Sequence, residues 1–162
     1  MPLVSFDALP DSARVWVFAS DEPLSGAAAD TLLAAVDAFL AEWRAHGAPL
    51  AAARDWRDDR FLAVGVDVTQ ENASGCSIDG LFRTLQRLEK QVGSRLVGGG
   101  RVFYRVGGEI VTSSQEEFVA RARAGDVSRD ARVFDLGISN AAQWRERFET
   151  PAVEGWTASL FR

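Results

Sequence analysis

The chain has 162 residues, 47% hydrophobic and 25% charged, a composition that suits one ordinary folded domain or two minimal ones. Its formal net charge of −5 is a deficit of the Lys and Arg that neutralise phosphates, which disfavours nucleic acid and an anionic membrane surface as partners. With one Cys (Cys76), one His (His46) and one Lys (Lys90), it has no internal disulfide and no zinc site built unaided. A G-x-x-x-x-G-K-[ST] phosphate loop is excluded as well.

No run approaches the roughly 18 apolar residues of a membrane span. The opening Met1-Pro2-Leu3-Val4-Ser5-Phe6-Asp7 has no basic segment leading into an apolar one, so a cytoplasmic location is expected. No motif calls for a cofactor, and no EF-hand spacing appears.

In chain order, residues 13–19 (Ala-Arg-Val-Trp-Val-Phe-Ala) read as a strand. Ser25 then offers an N-cap to a helix whose apolar positions are Leu32, Leu33, Val36, Phe39, Leu40 and Trp43, with Gly47 as its stop. Residues 51–57 and 60–68 read as two strands joined at Asp58-Asp59, the second apolar enough to be central. A polar loop, 69–75, leads to a second helix from about Ser77 to Val92, striped by Ile78, Leu81, Phe82, Leu85, Leu88 and Val92. With residues 102–106 as the next strand, the order is βαββαβ, that of a ferredoxin-like sandwich.

The last third differs in texture. Gly107-Gly108 between two strand-like runs signals a two-residue hairpin. Ser114 and Glu117 form a capping-box pattern, Gly125 ends that helix, 132–136 reads as a strand and 141–148 as a final helix. The expected fold class is α+β: a ferredoxin-like core over 1–97 and a small hairpin-helix-strand-helix unit over 98–162, separate or packed on the first as one domain.

Two resemblances stand out. Residues 6–16, 39–47 and Ser74-Gly75-Cys76-Ser77-Ile78-Asp79 resemble a family of small uncharacterised bacterial proteins, some carrying the label "ABC transporter ATPase". The resemblance covers nearly the whole chain, but the nucleotide loop that the label would need is absent. Within 103–144, Tyr104, the Ile110 turn, Glu117-Phe118, Gly125-Asp126-Val127, Val133-Phe134 and Trp144 are similar to small modules of the GYF type. That likeness implies an aromatic surface for a proline-rich or extended peptide. The Gly-Tyr-Phe signature is missing, and the alternative is that these aromatics form a core.

Candidate chemistry centres on Cys76. Counted at 100° per residue, it points about 170° away from the apolar stripe, at a helix start whose amides favour an anion or a thiolate. Gly75, Cys76 and Ser77 could form an anion-binding turn; alternatively Ser74 or Ser77 simply caps the helix while Asp79 favours its dipole. His46 is the one partner base on offer, and its other reading is a residue interacting with the end of the first helix. Arg60 belongs to a charge-dense hairpin with Arg54, Asp55, Arg57, Asp58, Asp59 and Asp67, a solvated face or a cluster for a small anionic ligand. Two functions follow. One is a non-enzymatic binding or interaction protein with a protein or peptide partner and self-association through the sheet. The other is a thiol-dependent enzyme or redox-responsive protein using Cys76.

Overall fold

Local signals place most elements. The computed structural model describes residues 5–69 and 72–161. Residues 1–4, read for a leader, Gln70 and Glu71 of the loop expected at 69–75, and Arg162 lie outside the described residues. In chain order come β1 (Arg14–Ala19), α1 (Gly26–Ala41), β2 (Arg44–Ala45), β3 (Ala48–Pro49), β4 (Ala52–Arg57), β5 (Phe61–Val66) and α2 (Gly75–Val92). After them follow β6 (Arg101–Val106), β7 (Glu109–Ser114), α3 (Gln115–Arg123), β8 (Arg132–Phe134), α4 (Ala141–Glu146) and β9 (Glu149–Pro151). Short 3-10 turns span Phe6–Ala8 and Trp156–Phe161. The protein is α+β. Among the described residues, no helix is long and apolar enough to cross a membrane.

The contacts divide the chain into two units, Met1–Gly98 with Gly137–Arg145, and Gly99–Leu136 with Glu146–Arg162. Residues 137–145 thus belong with the first unit although they follow most of the second in sequence. In that unit β1, β5 and β4 form an antiparallel sheet in the order β1-β5-β4. All six residues of central β5 are buried, which is why the run is apolar without alternation. One face carries Trp16, Phe18, Leu62, Val64, Val66 and Ala52 against α1 and α2.

The other face is shaped for a close approach. Gly65 has no side chain where a Cβ would meet Leu9 Cδ1 at 2.6 Å and Phe6 Cε2 at 3.2 Å, so the first 3-10 turn lies directly on the strand. Trp144 of α4, fully buried, stands edge-on to Phe6 at 6.5 Å and donates its indole N–H to Asp55 at 2.9 Å. The Arg57 guanidinium lies 4.1 Å from the centre of the Trp144 ring and donates to its carbonyl. Arg54 makes a bidentate pair with Asp37 of α1, and that hydrogen bond holds its guanidinium above the ordinary value. The charge-dense hairpin is thus half-buried scaffolding.

Two expectations about this unit are corrected. The ferredoxin-like order requires the strand at 102–106 beside β1. That strand, β6, lies instead in a second sheet, ordered β7-β6-β8-β9. The Gly107-Gly108 turn, both residues at positive φ, pairs β6 with β7 over six positions, a closure that costs little loop entropy. The outer edge of β1 is met by residues 139 and 140, through the Val15 amide to the Ser139 carbonyl and an Arg14–Asn140 bridge. The first helix also ends early, at Ala41, because His46 (φ 52°) and Gly47 (φ 80°) make the tight turn between β2 and β3. His46 is therefore a hairpin residue and has no helix terminus to interact with.

The second unit covers one face of its sheet with α3 and the carboxy-terminal 3-10 turn. Ser114 caps α3 by accepting the Glu117 amide at 3.1 Å, as the pattern predicts. Val102, Tyr104, Phe118, Val127, Val133 and Ala152 form the core there. Tyr104 stands edge-on to Phe118 at 5.1 Å, and Phe118 edge-on to Phe161 at 5.9 Å. The aromatics of the GYF-like pattern in this unit, Tyr104, Phe118 and Phe134, are thus inside, at no more than 1% exposure.

Candidate functional site

The Ser74–Asp79 segment starts α2, and its serines are committed to structure. Ser74 is the N-cap, accepting the Ser77 amide at 3.1 Å. Ser77 is buried and donates its hydroxyl proton to the Arg44 carbonyl at 2.7 Å. The 2.7 Å contact between the two hydroxyls is therefore a donation from Ser74 to Ser77, since Ser77 has only one proton to give. Trp43, in the short link between α1 and β2, donates its indole N–H to the Ser77 carbonyl at 2.8 Å. These bonds fasten the start of α2 to the β2–β3 hairpin.

Cys76 and Asp79 point outward from the same turn of helix and are exposed, as is Gly75. The Cys76 thiol thus lies off the core face, where the 100° count puts it. His46 is exposed on its hairpin, and among the described residues it shares no hydrogen bond with Cys76. The structure does not bring the two into a dyad. Arg60 is elsewhere, at the end of the β4–β5 turn and only 9% exposed. It donates to the Asp21 carbonyl at 2.6 Å and fastens the loop after β1. Burial pulls its guanidinium below the usual value, with Glu22 and Asp21 acting in the opposite sense. Among the described residues, no three His, Cys, Asp or Glu side chains are grouped so as to hold a metal.

The second unit presents a different kind of place, one that no local motif announces. A cleft of about 350 Å³ opens between the end of α3, the loop after it and the carboxy-terminal 3-10 turn. Ala122, Val127, Leu160 and Phe161 give it an apolar floor. Arg123, Arg129 and Ser128 line the rest, and all three are exposed. Gly125, at φ 82°, makes the left-handed step that turns the chain away from α3 and leaves the cleft open. Among the described residues, Arg123 and Arg129 have no acidic partner, whereas Arg121 pairs with Glu117 and both Arg105 and Arg132 pair with Glu149. Because the lining joins residues 122–129 to residues 160 and 161, its parts are far apart in sequence and none carries a signature.

No protein-family model, curated protein or solved structure matches this chain.

Proposed function

We propose that this protein is a binding protein and that its ligand or partner group occupies the cleft of the second unit. One observation carries the reading: an apolar floor beside two guanidinium groups and a hydroxyl that the fold itself does not use. Small-molecule sites combine mostly apolar walls with a few polar groups in just this way, and their volumes start at about 300 Å³. Ser74, Ser77 and Arg60, by contrast, hold the first unit together. A cytoplasmic setting fits an exposed, unpaired cysteine, since thiols stay reduced there.

The test is a fragment screen by amide NMR on the full chain and on Ser128→Trp, which fills the cleft from an exposed position. Fragments are expected to shift Val127, Ser128 and Phe161, and to stop doing so in the variant. Shifts that fall elsewhere, or that survive the filling, would sink the proposal.

A second reading has its own observation. The Cys76 thiol is exposed in the first turn of an 18-residue helix, open to electrophiles from solvent. It predicts alkylation by iodoacetamide at neutral pH at least about tenfold faster than that of glutathione in the same buffer. An equal or slower rate would discard it.

A further inference from the structure

We infer that the cleft selects an amphiphilic oxyanion: a carboxylate or phosphate monoester head on an apolar body. This rests on the binding reading above and gives its ligand a chemical class. The floor accounts for the body. Phe161 is braced edge-on against Phe118, and Phe118 against Tyr104, so the apolar wall is packed against the core of the unit.

The rim accounts for the head. The turn after α3 closes on itself, with the Gly125 amide bonded to the Ala122 carbonyl and the Asp126 amide to the Arg121 carbonyl, so side chains set the polarity there. Arg123 and Arg129 supply planar, permanently charged donors that suit an oxyanion, and Ser128 adds a hydroxyl. Asp126 and Asp130, their neighbours in sequence, form no ion pair with either arginine among the described residues. Two uncommitted cations beside an apolar hollow, on a chain of net charge −5, are a local reversal of the protein's own sign.

The experiment titrates the full chain, followed by amide NMR, with decanoate, decyl phosphate and decylammonium below their micelle concentrations and decanol below its solubility limit. Decanoate and decyl phosphate are expected to bind with shifts confined to the cleft, and the two arms show which head is preferred. Decanol should bind at least tenfold more weakly and decylammonium not at all, since a charge-assisted hydrogen bond contributes a tenfold or larger factor. In the double variant Arg123→Gln, Arg129→Gln, both exposed positions, decanoate should fall to the level of decanol while decanol is unchanged. Equal binding of decanol and decanoate to the native chain, or a preference that survives in the double variant, overturns the anion selectivity but leaves the cleft as a binding place. No shift at the cleft from any probe overturns the binding reading itself.

Discussion

The two units treat their buried polar groups differently. In the first, each has work to do: Ser20 and Ser94 bond to each other at 2.7 Å, Thr84 donates to the Gly80 carbonyl, Ser77 to the Arg44 carbonyl, and the Trp43 and Trp144 indoles each find an oxygen. In the second, Thr157 donates to the Ala152 carbonyl, but the Tyr104 and Ser113 hydroxyls are buried with no partner among the described residues. A partnered interior ties segments together in one arrangement. An interior with unmatched donors carries a desolvation cost, and here it lies under the same aromatic stack that floors the cleft. Among the described residues, the buried hydroxyls without a partner, Tyr104 and Ser113, both lie in the second unit.

The contrast can be broken or sharpened by substitution, read from urea unfolding midpoints and slopes. The largest effect is expected for Trp144→Ala, which removes a fully buried ring, its bond to Asp55 and the seat of Arg57; a loss of about 3–5 kcal/mol is expected. Ser77→Ala strands the Ser74 hydroxyl and the Arg44 carbonyl, and should cost about 1–2 kcal/mol. Tyr104→Phe should have the opposite sign, a gain of about 1 kcal/mol, because it deletes a buried hydroxyl without a partner. A loss of that size at Tyr104 would erase the difference between the units.

A smaller, pH-dependent effect belongs to Glu149. Burial would raise its carboxyl, but hydrogen bonds and charge from Arg105, then Arg132, outweigh burial and hold it below the usual carboxylate value. A carboxyl lowered in the folded state stabilises the protein above the unfolded value of about 4.3, and that stabilisation is lost as pH falls through the folded value. Glu149→Gln should therefore cost about 1 kcal/mol at neutral pH and nothing once the pH is well below the folded value; a difference that persists in acid would contradict the assignment. The smallest effect is expected for Arg123→Gln with Arg129→Gln, within about 0.5 kcal/mol of the native chain, as suits side chains the fold does not use.

What was legible in the sequence was what short stretches of chain decide. Asp58-Asp59 and Gly107-Gly108 turn where they should because both pairs accept positive φ, and the Ser114–Glu117 cap forms within one helical turn. The apolar run of β5 announced a central strand. The hairpin partner of β6 was legible, but its placement beside β1 was not, because strand order depends on which edge is already occupied, and residues 139 and 140 reach β1 from more than 120 positions away. The end of α1 was misread because Trp43 continues the apolar stripe by spacing, yet it lies past the helix end and its indole serves Ser77 of α2. Of the site, the exposure of Cys76 followed from helical geometry, whereas the cleft had no signature to read: its arginines look like an ordinary helix end until Leu160 and Phe161 fold beside them.

Residues 137–145 carry a consequence for how the chain is made. The sheet face bearing Ala63 and Gly65 is finished only when Trp144 arrives, 46 positions after the first segment of that unit ends at Gly98. At synthesis rates of about 5–20 residues per second, that face waits roughly 2–9 s without its lid, long enough for a chaperone to find it. A gene fragment stopped at the glycines that follow α2 should accordingly yield an incomplete, sticky product, so the natural cut in this sequence is not where its composition changes.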